Sequence, residues 1–218
     1  MKQSTIRVRL AAGMIVGLLA AGRAAAVMPF DCGYCNDTWT INYTHKYSDY
    51  FYAGSKGTNN VLTVGADGTL RILGAHDFRI GADDGGDHNL AVIRGTLNCR
   101  EDDRRLRIGG PLGAGSYNEL RVDGGEVSNF RVRVNDGNGS VGNVLRVING
   151  GLVSAQDYVI VGPHEHADDG LLVVKGAGSR VFSDGYLAVG YTTGTDGNTL
   201  RVEDAAEVPV LDPLAEPG

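Results

Sequence analysis

Helical periodicity is missing from this chain. No stretch shows apolar residues sustained at 3.6-residue spacing, which excludes a helical bundle and any architecture that needs crossover helices. No Ser or Cys sits in a strand-turn-helix elbow, so the usual setting of an activated nucleophile is absent as well. Basic residues are outnumbered, 20 Lys and Arg against 26 Asp and Glu, and a formal charge of −6 argues against nucleic acid as a partner. Beyond the N-terminus there is no second long apolar run, so no transmembrane segment is expected in the mature chain. Tryptophan occurs once, at Trp39, and cysteine three times, at Cys32, Cys35 and Cys99.

What is present begins with an export signal. Lys2, Arg7 and Arg9 precede an apolar run from Leu10 to Ala21, and Gly22-Arg23-Ala24-Ala25-Ala26 supplies the small residues of a cleavage site. Residues 1–26 are read as a secretory signal peptide, and the protein as exported to the extracellular space, the bacterial cell surface or the periplasm. Cleavage would remove four basic groups (Lys2, Arg7, Arg9, Arg23) and move the charge from −6 to −10. In an oxidising compartment Cys32 and Cys35 are spaced for a small disulfide loop, with free thiols or a functional pair as the alternatives.

The strongest signal is an internal repeat with a period near 28 residues. Its first signature is an apolar-x-apolar triplet beginning at Leu62, Leu90, Leu120, Leu145, Leu172 and Leu200. The second places a small or polar pair before Leu70, Leu97, Val127, Val153, Val181 and Val208. The third closes the unit in Phe78-Arg79-Ile80-Gly81, Leu106-Arg107-Ile108-Gly109, Val132-Arg133-Val134-Asn135, Val159-Ile160-Val161-Gly162 and Leu187-Ala188-Val189-Gly190. Three short period-two strands cannot bury their inward side chains within one unit. Parallel stacking of successive units can, because it sets each inward Leu, Val or Ile on the next at the roughly 4.8 Å strand spacing.

The expected fold is therefore all-β: a right-handed parallel β-helix of about six coils, three strands per coil, over residues 59–211. The leading Leu residues should form one inward column. Asn60, Asn89, Asn118, Asn143 and Asn198 recur before the first strand, with Gly170 the departure, and their amides should hydrogen-bond along the axis as in cross-β stacks. Residues 27–58, which hold Tyr34, Trp39, Tyr43, Tyr47, Tyr50, Phe51 and Tyr52, are expected to cap the first coil, with a sugar-stacking platform as the competing reading. Residues 212–218 form a tail.

The ordered triplets from Asn59 to Val208 resemble the Gly-rich repeats of autotransporter passengers and of bacterial surface proteins with a PEP-type sorting signal. That resemblance implies a cell-surface β-helix with a structural or adhesive role, and says little about activity. It departs from the pattern after Leu211, where neither a barrel nor a sorting helix follows, so a truncated or released chain is expected.

Candidate sites are few. Arg79, Arg107 and Arg133 fall at equivalent outward positions in three consecutive units, a column suited to a polyanion such as a cell-surface or matrix polysaccharide. Internal neutralisation by the acidic loops is the alternative. A pectate-lyase-like, polysaccharide-processing β-helix is the enzymatic alternative. Acidic loops at 82–88, 136–140, 163–169 and 192–197 invite calcium but match neither the EF-hand spacing nor the nonapeptide pattern of a calcium-binding β-roll, and His164-Glu165-His166 would need a third ligand, such as His88 or Asp169, to hold zinc. No cofactor, no metal and no catalytic residue is expected. Cys99, two residues after inward Leu97, should be buried and unreactive.

Overall fold

The computed structural model describes residues 36–74, 76–82, 85–100, 104–110 and 115–209. The signal segment, Cys32, Cys35 and the tail lie outside the described residues. Within them there are strands and no helix, and every strand pairing is parallel. The chain winds into a β-solenoid of about six turns.

The first strands of successive turns are β1 (Thr38–Ile41), β4 (Val61–Val64), β7 (Leu90–Ile93), β10 (Glu119–Asp123), β12 (Val144–Ile148), β14 (Leu171–Lys175) and β17 (Thr199–Glu203), and they form one seven-stranded sheet in that order. Second strands are β2 (Thr44–Tyr47), β5 (Thr69–Ile72), β8 (Thr96–Cys99) and β15 (Arg180–Ser183). Third strands are β3 (Phe51–Ala53), β6 (Phe78–Ile80), β9 (Arg105–Ile108) and β16 (Tyr186–Val189). In two turns the corner between them is bridged by one long strand, β11 (Glu126–Val134) and β13 (Leu152–Val161), with the register shift absorbed between Asn129 and Arg131.

Alternation does what the repeat requires. Leu70, Leu97, Val127, Val153 and Val181 stack in register on the second strands, and Phe78, Leu106, Val132, Val159 and Leu187 on the third. Cys99 joins the core with no exposure.

One expected position is corrected. The inward column of the first sheet is Trp39, Leu62, Ala91, Leu120, Leu145, Leu172 and Leu200, so Ala91 takes the place expected for Leu90. Leu90 pairs with Val61 and Glu119 on the outer face. The cause is the asparagine before each strand, which fixes the inward residue two positions later: Asn60 sets Leu62, Asn118 sets Leu120, Asn143 sets Leu145, and Asn89 sets Ala91. A one-residue slip to bring Leu90 inward would pull Asn89 out of its hydrogen bonds and flip Ile93 outward.

The solenoid also begins earlier than residue 59. Strands β1, β2 and β3 pair in register with β4, β5 and β6, so the aromatic segment is itself a turn from Thr38 onward. Its inward residues are large. Phe51 stacks on Phe78 with centroids 5.4 Å apart, Trp39 stacks on Phe51 at 5.7 Å, and Tyr47 meets Phe51 edge-on at 5.5 Å. Aromatic bulk thus covers the end of the aliphatic column. At the other end Leu187, Val189 and Leu200 are only half-buried.

Four of the five asparagines form a spine, while Asn198 donates from Nδ2 to the Ala167 carbonyl (2.7 Å) and accepts the Gly170 N–H (2.9 Å). Nδ2 of Asn60 donates to Oδ1 of Asn89 (2.8 Å), Asn89 to Asn118 (3.0 Å) and Asn118 to Asn143 (3.0 Å), and each Oδ1 also accepts the backbone N–H of the preceding member. Glycines ending the third strands leave room for it: a Cβ on Gly81 would lie 2.2 Å from Asn118 Nδ2, and one on Gly162 2.4 Å from Asn198 Nδ2. At one level the two roles are exchanged. Asn135 stands in the glycine row, at φ 64°, and Gly170 in the asparagine row. Asn135 Oδ1 accepts from Asn143 Nδ2 at 2.6 Å, so the missing amide is supplied from the opposite side.

Candidate functional site

The third strands build the face with most chemistry. Tyr52, Arg79, Arg107, Arg133, Ile160 and Ala188 lie in register as one outward column. Immediately before the inward residues of the same strands stand Tyr50, Asp77, Arg105, Arg131, Tyr158 and Tyr186. The face therefore reads aromatic, then charged, then aromatic along the axis.

Arg79, Arg107 and Arg133 do come together, but not as free cations. Guanidinium groups repeating at the strand spacing repel one another unless acids intervene, and two aspartates do. Asp77 Oδ2 accepts from Arg79 Nη2 at 2.9 Å and lies 3.0 Å from Arg107 Nε, close enough for an ion pair but out of line for a hydrogen bond. Asp136, fully buried, accepts Arg107 Nη1 on Oδ2 (2.7 Å) and Arg133 Nη1 on Oδ1 (3.2 Å), with His164 Nε2 3.1 Å from the same Oδ1. Arg107 keeps only 7 % of its exposure. Burial works against the Arg133 charge, but the Asp136 carboxylate and the Tyr158 phenol, which accepts from its Nε (2.9 Å) and Nη2 (2.6 Å), outweigh it and raise its pKa.

Rings flank this stack. Arg79 lies over Tyr50 at 4.6 Å and near Tyr52 at 5.8 Å. Arg131 and Arg133 lie 5.3 Å and 5.4 Å from the Tyr158 centroid, and Arg131 Nε donates to Asp157 Oδ2 at 2.6 Å. Beyond them Tyr158, Tyr186 and Tyr191 run on, with centroids 5.5 Å and then 6.2 Å apart. Tyr158 is buried, whereas Tyr186 and Tyr191 are 40 % and 60 % exposed. Partial burial, then the Tyr191 phenol, raises the pKa of Tyr186. Sequence reasoning missed this patch because its arginine column led away from it. The signal was the replacement of Arg131 by Tyr158 and Tyr186 at the equivalent position of later turns.

The acidic loops spend carboxylates on their neighbours. Asp87 Oδ1 accepts the Ser116 N–H at 2.7 Å, and Asp168 Oδ1 the Asp196 N–H at 2.8 Å, so each carboxylate tethers the loop of the following turn. Among the described residues no group of three or more His, Cys, Asp or Glu is placed to hold a metal ion. His164 is engaged by Asp136 and His166 is exposed in a left-handed turn at φ 55°. A polar depression of about 360 Å³ between first and second strands is lined by Arg94, Glu126 and Leu152 together with Gly95, Gly124 and Gly150. The Cys99 thiol is buried, and desolvation drives its pKa far up, which disfavours the reactive thiolate. Among the described residues no helix is long and apolar enough to cross a membrane.

Compared with protein-family models, curated proteins and solved structures, the chain matches none, so the likeness of its triplets to surface-protein repeats extends to the β-solenoid fold and no further.

Proposed function

We propose that this chain is an exported, non-catalytic β-solenoid that serves as a structural or adhesive rod at the cell surface. The observation that carries this reading is the use made of the ionisable side chains. Those with the chemistry of a site, Arg79, Arg107, Arg133, Asp77 and Asp136, are bound to each other across turns, and loop carboxylates tether successive loops. Groups spent on stacking stiffen a scaffold. The signal-peptide pattern of residues 1–26 supports export. The test is expression of the full chain in a Gram-negative host with fractionation and N-terminal sequencing. A mature N-terminus near Val27 outside the cytoplasm is expected; uncleaved protein held in the cytosol would sink the proposal.

A second reading, polysaccharide binding, is favoured by the exposed Tyr186 and Tyr191 beside the charged stack. A polysaccharide-processing enzyme would instead shorten a soluble polymer, which viscometry with the purified protein detects.

A further inference from the structure

We infer that Arg121 and Arg146, on the outer face of the first-strand sheet, form a binding site for the carboxylate or sulfate groups of an acidic polysaccharide. This deepens the polysaccharide-binding reading of the preceding section, on which it rests, and moves the contact to another face. The two side chains lie directly opposite each other in register on β10 and β12. One acid serves both: Glu119 Oε1 accepts Arg121 Nε at 2.8 Å and Arg146 Nε at 3.2 Å. Neither guanidinium makes a further hydrogen bond or ion pair among the described residues. Asp123, whose carboxylate feels the Arg121 charge, is already held by Arg94 (3.2 Å) and Asn149 (2.7 Å).

This pair differs from the third-strand stack in access and in charge. Arg107 is buried between two aspartates, whereas Arg121 and Arg146 stay 37 % and 33 % exposed around a single carboxylate. Two like charges at the strand spacing with one counter-charge leave one positive charge in excess, which a second anion would neutralise. Glu119 shows the geometry such an anion would use. One of its oxygens bridges both groups through Nε, and the Nη N–H groups of both are left for an external oxyanion. Val92 precedes the pair in its row and Val173 follows it, so the surroundings are apolar. Beyond Val173 the row resumes with Arg201, 57 % exposed and paired with Glu203, roughly 10 Å from Arg146 at the strand spacing. A polymer with repeating acidic groups can lie along that row, which a single small anion cannot. The chain as a whole carries −6 and supplies no long-range attraction, so recognition falls to these short contacts and to their repetition.

Affinity electrophoresis of the full chain at low ionic strength tests this, in native gels containing polygalacturonate, which carries carboxylates, or heparin, which carries sulfates as well. Mixed-linkage β-glucan and dextran are the neutral comparators. Retardation by at least one acidic polymer is expected, and it should be at least fivefold weaker in the Arg121→Gln, Arg146→Gln double variant. The charge-matched Arg71→Gln, Arg180→Gln variant, altered at exposed positions elsewhere, should differ from the parent by less than twofold. Glu119→Gln separates the site from the fold. It removes the internal anion that holds the pair and should tighten binding at least twofold, whereas Glu165→Gln, the same change of charge in an exposed loop, should not. Retardation by an acidic polymer that the double variant keeps, or that Glu119→Gln raises no more than Glu165→Gln does, overturns the site and leaves polysaccharide binding to another face. Retardation by the neutral polymers alone has the same meaning. No retardation by any polymer overturns both the site and the reading beneath it, and leaves the surface rod to be judged by fractionation.

Discussion

In the asparagine spine each side chain meets its own kind, whereas in the arginine stack each meets its opposite. Both are columns at the strand spacing, and the difference lies in what the groups carry. A carboxamide has donor and acceptor together, so Asn60, Asn89, Asn118 and Asn143 satisfy one another by repetition. A guanidinium only donates. Arg79, Arg107 and Arg133 are held in register because Asp77 and Asp136, from other positions in the repeat, separate their charges. Repetition suffices for the first column; the second needs residues that break the repeat.

The stack should therefore be the easier column to break. Asp136→Ala leaves Arg107 buried beside Arg133 with one acid for three guanidinium groups, and removing one partner of a buried ion pair costs about 3–5 kcal/mol. Urea unfolding measures it. Adding Arg107→Met to Asp136→Leu should recover much of the loss, since the burial penalty of both charges goes with them. A loss for Asp136→Ala comparable to that of an exposed ion pair would mean that the column does not depend on alternating charge.

Asn118→Ala is next in size. It deprives Asn89 of the acceptor for both its Nδ2 and its backbone N–H, and each orphaned buried group costs about 1–3 kcal/mol. Hydrogen exchange at the amides of Asn89 and Asn60 localises the damage: Asn89 should lose protection, and Asn60, whose acceptor is Asn89, should keep it. Equal loss at both would show that the spine fails as one unit.

A smaller effect concerns the core beneath. Cys99→Ala removes a buried sulfur from a site flanked by Ile72 and should cost about 1 kcal/mol through the void it leaves. The wild-type thiol should resist maleimide labelling until the chain is unfolded, since burial suppresses both access and ionisation. Labelling at native rates similar to a free thiol would contradict the packing.

How much of this was legible follows from the same contrast. Self-complementary or apolar columns are written in a repeat, so the strand triplets, the amide spine and the inward Cys99 can be read from spacing. The shift from Leu90 to Ala91 escapes because Leu90-Ala91-Val92-Ile93 offers two period-two registers, and only the distance from Asn89 chooses between them. The arginine column was visible, and so was one source of its counter-charge, since Asp136 belongs to the acidic loop 136–140 and reaches Arg107 from the following turn; Asp77, two residues before Arg79 and outside those loops, was not. The tyrosine series was harder to see, since Tyr158 and Tyr186 share one position of the repeat but Tyr191 comes from a loop.

The exchange of Asn135 and Gly170 tests whether the spine follows from the side chains or from their place in the repeat. Gly170→Asn alone puts a Cβ 2.5 Å from Asn198 Oδ1 and 3.0 Å from Asn135 Cβ, so it should destabilise by overpacking. Asn135→Gly alone removes the acceptor that Asn143 Nδ2 uses, leaving a buried donor unmet, although it relieves a left-handed φ of 64°. Together the two substitutions recreate the arrangement of the neighbouring turns: a glycine at the end of the third strand and an asparagine before the first, with its Oδ1 facing Asn143 Nδ2 as Asn118 faces Asn89. The single variants should each lose stability, while the double variant should lie within about 1 kcal/mol of the parent, a favourable coupling of the size seen between residues in contact. Additive losses would mean that this level is built around its own exchange, for instance through the Asn135 Nδ2 bond to the Asp168 carbonyl at 2.8 Å, and that the spine belongs to its particular neighbours and not to the repeat.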